Sequence, residues 1–313
     1  MQAVQAAQYG EPSILEFKED VAEPTPKPNQ VLVTVYAAGL NPFDAMVLAG
    51  VYRDSMPLAL PFTVGGDLAG VITQLGEKVT NFKVGDEVYG SAIAISGGSG
   101  AYARLATMNA EKTALKPVNV NFVEAAALPV AGMTAVEAIA DHIKLQPGQR
   151  ILIHGGAGGV GHVAVQYAKS IGAQVITTVA GRDVEFVKRL GADEVVDYQT
   201  QQFEEIFSDL DAVFDTVGGA VSTKSYQVLK AGRPLVLIVS RPDEKLAQRH
   251  HVKVIRQSTD TSAPKLQRLA RLVEKGTLKV HIDRTFTLDQ TRAAFDHLAT
   301  GHPQGKVVIK IKD

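Results

Sequence analysis

Glycines recur in residues 155–161, and three of them have the G-x-G-x-x-G spacing of dinucleotide-binding sites. In that pattern the first glycine makes a tight turn, the second lets the backbone approach a pyrophosphate, and the third lets the helix pack closely on the strand. We assign these roles to Gly156, Gly158 and Gly161. A helix N-terminus adds free N–H groups and a partial positive charge that bind phosphate. The predicted phosphate-binding residues are Gly156, Ala157, Gly158, Gly159, Val160 and Gly161.

The sequence on both sides of the glycines predicts the strands and the helix that position them. Residues 151–153 are apolar and strand-like, a helical pattern begins near Val160, and a second apolar run covers residues 175–179. A strand, a tight turn, a helix and a strand within about thirty residues form a βαβ unit. A lone glycine pattern is weak evidence, so this context makes the prediction of a dinucleotide site specific.

The end of the second strand bears on which dinucleotide binds. Enzymes that use NAD usually place an acid about twenty residues past the glycines, where it binds the ribose 2′-hydroxyl. Here the strand tip has no acid, and Arg182 lies where a guanidinium could pair with a 2′-phosphate. Asp183 could contact the ribose instead, but we interpret it as the cap of a helix that begins at Val184. The sequence therefore predicts NADPH.

Helix and strand alternate from about residue 125, where an alanine-rich helical stretch covers 125–142 with interruptions near Pro129 and Gly132. Such alternation predicts an α/β fold, a doubly wound parallel sheet of the Rossmann type. The six strand candidates are residues 151–153, 175–179, 194–197, 212–215, 235–239 and 252–256. The last of these is the candidate edge strand.

Residues 1–124 are β-rich, with short apolar runs separated by turns that contain proline and glycine. The final apolar run, residues 306–312, has no strand partner nearby in the sequence, so we expect it to return to this β-rich part. The predicted domains are therefore a discontinuous β-rich domain of residues 1–124 and 262–313 and a dinucleotide-binding domain of residues 125–261.

Composition excludes several classes of function. The chain has 313 residues, a formal net charge of −1 and no long basic run, so we expect neither nucleic acid nor a membrane surface as a partner. It has no cysteine, which excludes disulfides, thiol nucleophiles and thiolate metal sites. The first residues lack a basic segment followed by an apolar core, so we expect no signal peptide and a cytoplasmic protein.

Several spaced motifs carry a family resemblance over nearly the whole chain. They are residues 37–44 (AAGLNPFD), 65–71 (GGDLAGV), 79–90 (VTNFKVGDEVYG), 132–135 (GMTA), 215–219 (DTVGG) and 301–307 (GHPQGKV). The sequence resembles the medium-chain dehydrogenase/reductase superfamily, in its zinc-free quinone oxidoreductase and alkenal/enone reductase branch. This resemblance implies a GroES-like catalytic domain, a Rossmann domain, an active site in the cleft between them and a homodimer.

The resemblance also implies roles for single residues. Asn41 and Tyr52 match catalytic positions near the nicotinamide, and Asn41 would contact the cofactor as well. Tyr52 could donate to a substrate oxygen or only close the cleft as an aromatic side chain, and Arg53 replaces a proline that relatives carry. Asn41 could equally form a turn before Pro42, and Asp44 is better explained as a structural hydrogen-bonding partner. The cofactor-binding positions that the resemblance adds are Thr134, Tyr198, Val217, Ile238, Ser240 and Lys306.

In zinc-dependent relatives a cysteine and a Gly-His-Glu segment hold a catalytic metal, and the matching positions here are Asn41 and residues 65–67 (GGD). Catalytic zinc normally takes three protein ligands from His, Cys and carboxylate, so we expect no metal. His154, at the strand end before the glycines, is better explained as a hydrogen-bonded structural residue.

Without a Lewis acid the alkoxide of an ordinary alcohol is not stabilised. A quinone or an α,β-unsaturated carbonyl delocalises the incoming charge onto its own oxygen. The leading hypothesis is an NADPH-dependent reductase of quinones or of enone C=C bonds, with an apolar pocket contributed by residues such as Met46 and Met56. A non-catalytic NADPH-binding sensor or scaffold and a metal-free alcohol dehydrogenase are the alternatives.

Overall fold

The computed structural model describes residues 1–301 and 303–312. In chain order its strands are β1 (Ala3–Ala6), β2 (Glu16–Lys18), β3 (Gln30–Leu40), β4 (Phe62–Thr63), β5 (Asp67–Leu75), β6 (Glu87–Ser91), β7 (Leu105–Asn109), β8 (Thr113–Leu115), β9 (Arg150–His154), β10 (Gln174–Val179), β11 (Glu194–Asp197), β12 (Ala212–Asp215), β13 (Pro234–Leu237), β14 (Lys253–Arg256), β15 (Ile282–Thr287) and β16 (Lys306–Lys310). The α-helices are α1 (Pro42–Leu48), α2 (Phe122–Ala126), α3 (Pro129–Val136), α4 (Gly161–Ile171), α5 (Val184–Arg189), α6 (Phe203–Ile206), α7 (Ala220–Ser225), α8 (Glu244–His250), α9 (Ala263–Glu274) and α10 (Thr291–Ala299).

The chain divides into two compact units. The first unit contains residues 1–130, 261–275 and 280–313, and the second contains residues 131–260 and 276–279. The first boundary lies six residues later than position 124 because α2 packs within the first unit. There Gly39 approaches the carbonyl oxygen of Ala126 so closely that a Cβ atom would overlap it. Residues 276–279 belong to the second unit. There the side-chain amide of Gln166 donates to the Lys279 carbonyl oxygen and accepts from the Lys279 N–H, each at 2.9 Å.

In the first unit a seven-stranded sheet has the order β15-β16-β3-β5-β6-β8, with β7 also paired to β3, and a three-stranded sheet has the order β2-β1-β4. The C-terminal strand β16 pairs antiparallel with β3, with Val307 opposite Leu40, so it returns to the β-rich part as predicted. The expectation that it has no partner nearby in the sequence was wrong, because β15 pairs with it in parallel. Alternate residues of β3, Val31, Val33 and Val35, are fully buried and belong to the core of this unit.

The second unit contains a six-stranded parallel sheet in the order β11-β10-β9-β12-β13-β14. Counted from β9 along the chain, this is the 3-2-1-4-5-6 order of the doubly wound dinucleotide-binding fold. Ile151, Leu152 and Ile153 of the central strand have no exposed surface, because such a sheet is covered on both faces. The predicted fold class is confirmed, and β14 lies at one edge as predicted.

The helical stretch predicted for residues 125–142 differs in detail. It is divided into α2, which ends at Ala126, α3, which begins at Pro129, and a π-helical segment from Glu137 to Ile143. Gly132 lies inside α3 and does not interrupt it, since one glycine in a helix costs only about 1 kcal/mol. Among the residues that the structure describes, no helix combines the length and the apolar character that crossing a membrane requires.

Candidate functional site

The glycine stretch forms a tight turn between β9 and α4. Gly155 has a φ of +73°, which favours glycine, and its N–H donates to the carbonyl oxygen of Thr178 in β10 at 3.1 Å. The turn-making role that we assigned to Gly156 therefore belongs to Gly155. A Cβ at Gly156 would overlap the hydroxyl of Thr177, so Gly156 is needed for close packing on β10.

The other two glycines differ in what surrounds them. A Cβ at Gly161 would overlap the carbonyl oxygen of Gly155, so this glycine lets α4 begin directly against the turn. A Cβ at Gly158 would meet one protein atom within 4 Å, the Gly155 oxygen at 3.4 Å. The packing of the protein therefore does not require glycine at position 158. This free space beside the N-terminus of an eleven-residue helix fits a dinucleotide pyrophosphate.

His154 supports the turn from inside the sheet. The hydroxyl of Ser225 donates to the Val221 carbonyl, so it accepts from His154 Nε2 at 3.0 Å, and His154 Nδ1 then accepts from the Thr178 hydroxyl at 3.1 Å. Burial lowers the pKa of His154 to about 4, so the ring is neutral at physiological pH. His154 is a hydrogen-bonded structural residue, as expected.

The remaining cofactor-binding candidates of the second unit follow the carboxyl ends of its strands. Arg182 comes after β10, Tyr198 after β11, Val217 after β12, and Ile238 and Ser240 after β13. Because all six strands are parallel, these ends lie at one edge of the sheet, the edge at which such folds bind ligands. The side chains of Tyr198 and Val217 are exposed there, and the Ser240 hydroxyl accepts from the N–H of Gly219 at 2.9 Å.

Arg182 lies in a 3₁₀ turn, Gly181–Asp183, directly before α5. Its guanidinium is largely exposed and its Nε lies 3.7 Å from the Asp183 carboxylate. Helix α5 begins at Val184 as predicted, and Asp183 occupies the N-cap position, but its side chain makes no capping hydrogen bond. The capping role assigned to Asp183 was therefore wrong, because the 3₁₀ turn leaves its backbone in a helical conformation in which the carboxylate is turned toward Arg182.

Thr134 lies in α3 and meets residues that follow β14. Its hydroxyl is 2.9 Å from that of Thr259, and its carbonyl oxygen accepts from Gln257 Nε2 at 3.0 Å. Gln257 and Thr259 are not among the residues predicted from the sequence, because the polar stretch that contains them carries no recognisable motif. The feature of the sequence that could have identified them is their position just after the sixth strand candidate, because such folds bind ligands at the carboxyl ends of the strands.

Asn41 and Lys306 lie inside the first unit, in a group that we call the buried polar cluster: Asn41, Asp44, Asp67, Tyr102 and Lys306. The Lys306 ammonium donates to Asn41 Oδ1 at 2.5 Å and to the Leu40 carbonyl at 2.8 Å. Asn41 Nδ2 in turn donates to Asp67 at 3.0 Å. The side chains of Asn41 and Lys306 are almost fully buried. The two residues thus contact each other, and their predicted contact with the cofactor stays a prediction.

Asp44 completes the cluster. Its Oδ2 accepts from the Asn41 backbone N–H at 2.9 Å and from the Tyr102 hydroxyl at 3.0 Å. Burial raises the pKa of Asp44 to about 7 and the pKa of Asp67 to about 6, and Lys306 opposes both shifts. Burial likewise lowers the pKa of Lys306, against the attraction of the two carboxylates. These contacts favour a structural role for Asp44.

The cluster does not fit a catalytic zinc ion. An ion held by Asn41 and Asp67 would lie against the Lys306 ammonium, which already donates to the Asn41 oxygen. Within residues 1–301 and 303–312, no three His, Asp or Glu side chains are grouped so that they could hold a metal ion. A metal-free reaction therefore stays our prediction.

Tyr52 lies in the turn after α1. Its carbonyl oxygen accepts from Met56 at 2.8 Å, and its ring makes a tilted contact with Phe43 at a centroid distance of 5.2 Å. Large apolar side chains near it are exposed. They are Met46, Val51, Met56 and Leu60. Leu48 and Phe62, apolar residues of the same part of the chain, are buried and belong to the core.

A doubly wound sheet with a glycine turn before its first helix, in a chain that also has a β-rich unit, is an arrangement found in dinucleotide-dependent oxidoreductases. Residues 27–118 match the family "Alcohol dehydrogenase GroES-like domain" and residues 190–309 match "Zinc-binding dehydrogenase". The chain belongs to the medium-chain dehydrogenase/reductase superfamily, in the branch of the quinone and alkenal/enone oxidoreductases. The second description names zinc, whereas no group of three His, Asp or Glu side chains among the described residues could hold a metal ion.

Its relatives share most of its length. The chain is 35% identical to the 2-methylene-furan-3-one reductase of Solanum lycopersicum, over 99% of this chain and 79% of that protein. It is 33% identical to a chloroplastic NADPH-dependent alkenal/one oxidoreductase of Arabidopsis thaliana, over 99% and 79%. The structure of the quinone oxidoreductase from Coxiella burnetii is 33% identical, with a TM-score of 0.91 over 100% of this chain and 99% of that one. The chain is an oxidoreductase.

Proposed function

We propose that the chain is an NADPH-dependent reductase that transfers hydride, without a metal, to quinones or to the C=C bond of α,β-unsaturated carbonyls. The observation that carries the choice of cofactor is the exposed Arg182 guanidinium after β10, on the sheet edge that also carries the glycine turn. The name of the Arabidopsis relative, which specifies NADPH, supports it. The names of the other two relatives supply the substrate classes, an enone and a quinone.

Bound NADPH supplies the hydride. The backbone N–H groups at the start of α4 hold the pyrophosphate, Arg182 pairs with the 2′-phosphate, and Thr134 positions the nicotinamide end. Quinones and enones stabilise on their own oxygen the charge that the hydride brings. The protein therefore needs chiefly to align the reactants and to offer a donor to that oxygen, for which the Tyr52 phenol is the candidate.

The surface around Tyr52 supports an apolar substrate. Met46, Val51 and Met56 are exposed within ten residues of one another, although side chains of this size are usually buried in a soluble unit. An exposed apolar patch of this kind favours a flat, uncharged acceptor over an anionic one.

The direct test mixes purified protein with NADPH and follows its absorbance in the presence of a benzoquinone, an orthoquinone, a 2-alkenal and an enone. We expect oxidation of NADPH with at least one of these acceptors. Binding of NADPH without turnover on any of them would favour a sensor or scaffold. Faster reaction of NADP⁺ with simple alcohols would favour a metal-free alcohol dehydrogenase.

The choice of cofactor has its own test, in which Arg182→Ala is compared with the wild type for NADPH and NADH. Losing a charged hydrogen bond of about 1.5–3 kcal/mol weakens NADPH binding by roughly 10- to 150-fold. NADH has no 2′-phosphate, so its binding should not change. If Arg182→Ala weakens both cofactors equally or neither, the assignment of Arg182 fails.

We further propose a cytoplasmic homodimer that pairs through the free edge of the sheet at β14. Among the described strands β14 pairs only with β13, so its other side offers unpaired backbone groups. Light scattering should then give twice the chain mass of 33.4 kDa. A mass of one chain would overturn the dimer.

A further inference from the structure

The side-chain amide of Gln257 has a fixed orientation. Its Nε2 faces the Thr134 carbonyl oxygen and the Thr259 hydroxyl, each at 3.0 Å. Because a carbonyl oxygen can only accept, the amide atom that faces it must be the NH₂ group. The carbonyl oxygen of Gln257, Oε1, therefore points the other way.

That oxygen has no hydrogen-bond partner in the described part of the chain, although Gln257 is only 4% exposed. Buried acceptors without a donor are rare in native proteins, since each carries an uncompensated desolvation cost. The hydrogen bonds of Nε2 explain one end of the amide, but nothing in the described part of the chain explains the other end. The unpartnered oxygen therefore points to a donor that comes from a ligand.

The position of Gln257 indicates which part of the cofactor supplies this donor. Gln257 directly follows β14, the sixth strand of the doubly wound sheet. The first three strands of this fold bind one mononucleotide half of the cofactor, and the last three bind the other. Arg182, after β10, lies on the half that takes the 2′-phosphate and hence the adenosine, so β14 lies on the nicotinamide half.

We propose that Gln257 Oε1 accepts a hydrogen bond from the carboxamide NH₂ of the bound nicotinamide, which makes Gln257 a positioning residue. This inference rests on the proposed function, because it presupposes a nicotinamide cofactor. Because Gln257 Oε1 can only accept a hydrogen bond, it binds the NH₂ group of the carboxamide and not the carboxamide oxygen. It thereby fixes the rotation of the carboxamide and, through it, the face of the ring that delivers hydride. The hydrogen bonds from Nε2 to Thr134 and Thr259 hold the amide in place.

The test compares three cofactors by equilibrium binding to the wild type and to Gln257→Met, which keeps the length of the side chain. They are NADPH, its 3-acetylpyridine analogue, in which a methyl replaces the NH₂, and its thionicotinamide analogue, which keeps the NH₂. We expect the wild type to bind the acetylpyridine analogue about 3- to 12-fold more weakly than NADPH, as for one net hydrogen bond. In Gln257→Met this ratio should fall to about one, while the thionicotinamide analogue should follow NADPH in both proteins.

Gln30→Met is the matched control. Gln30 is also buried, but both ends of its amide are partnered, by Lys27 and by Gly97. This variant should keep the wild-type ratio. A ratio within one protein cancels any general effect of the substitution on folding, so a merely structural Gln257 would not change it.

Three results would overturn the proposal. The first is equal affinity of the wild type for NADPH and the acetylpyridine analogue, which decides the matter even if Gln257→Met does not fold. The second is a ratio that Gln257→Met leaves unchanged without any loss of affinity for the cofactors. The third is an equal loss of affinity for all three cofactors, which would assign the oxygen to a ribose hydroxyl or a water molecule. Failure of the wild type to bind NADPH at all would refute the proposed function instead.

Discussion

Replacing Lys306 by methionine tests whether its ammonium is the counterion of the buried polar cluster. Methionine has a similar length, but it leaves the Leu40 carbonyl and Asn41 Oδ1 without their donor, and Asp44 and Asp67 without a nearby cation. Lys306 is 3% exposed, so solvent does not screen it. Breaking a buried charged pair costs about 3–5 kcal/mol. At neutral to alkaline pH we therefore expect the melting temperature of the first unit to fall by roughly 6–20 °C.

The same variant should behave differently in acid. The folded pKa values of Asp44 and Asp67, about 7 and about 6, lie above their ordinary value of 3.8. A carboxyl whose pKa is raised by folding contributes stability that is fully present below its unfolded pKa and is lost as the pH rises through the folded pKa. Lys306 lowers both values, so its removal raises them further and extends this loss to higher pH. At pH 5 both carboxyls are largely protonated in either protein, so the loss should be smaller there and should come mainly from the Leu40 carbonyl and Asn41 Oδ1, which lack their donor at any pH.

The assay is thermal unfolding of the wild type, Lys306→Met and Lys310→Met at pH 5 and pH 8, followed by circular dichroism. Lys310 lies at the exposed end of the same strand, β16, and its replacement should change the melting temperature by no more than a surface substitution does. A loss in Lys306→Met that is equal at both pH values, or no loss at pH 8, would refute the role of Lys306 as counterion.

Three further predictions concern the glycine turn, His154 and Tyr52. Gly158→Ala should keep the melting temperature of the apo protein while weakening NADPH binding. Gly161→Ala should destabilise the fold itself, because its Cβ would overlap the Gly155 oxygen. Thermal unfolding and titration with NADPH distinguish the two effects, and equal behaviour of the two variants would contradict the geometry. Folding lowers the pKa of His154 from 6.5 to about 4, so the free energy of unfolding of the second unit should fall by up to about 3 kcal/mol as the pH falls from 6.5 to 4. His154→Gln should make the free energy of unfolding less dependent on pH in this range. An unchanged dependence would show that another group causes it. Tyr52→Phe should lower turnover only modestly in steady-state assays, and a loss on the order of a thousandfold would mean that the site has an obligatory general acid.

The second unit could largely be predicted from the sequence because its determinants are local. The strands Glu194–Asp197 and Ala212–Asp215 have the predicted bounds, since each is a short apolar run between polar turns. The parallel order follows from the alternation of strands with helices. The conformation of the turn was not predictable at the level of single residues. Either of two adjacent glycines could take the left-handed position, and the structure places Gly155 there through contacts with the distant strand β10, where both N–H groups donate to the Thr178 carbonyl oxygen.

The first unit was harder to predict because its pairings are not local. Strands such as Phe62–Thr63 and Thr113–Leu115 are only two or three residues long and exist because they add to sheets formed by distant segments. The buried polar cluster has the same origin, since Lys306 and Asn41 are 265 residues apart in the chain. No pattern of spacing in the sequence indicates that a lysine near the C-terminus donates to an asparagine near the N-terminus.

The position of Lys306 bears on both the predicted lack of a metal and the proposed substrate class. The resemblance matches the zinc-binding positions of zinc-dependent relatives to Asn41 and residues 65–67. The ammonium of Lys306 donates to Asn41, and its charge lowers the pKa of Asp67. A side-chain cation thus lies against two of the residues that the resemblance matches to zinc-binding positions. Unlike a metal with an open coordination position, this ammonium is buried and already donates to two protein oxygens, so it does not take up a substrate oxygen. In the metal-free reaction that we propose, Lys306 therefore does not stabilise the charge that hydride transfer creates, which agrees with an acceptor that carries this charge on its own oxygen, as quinones and enones do.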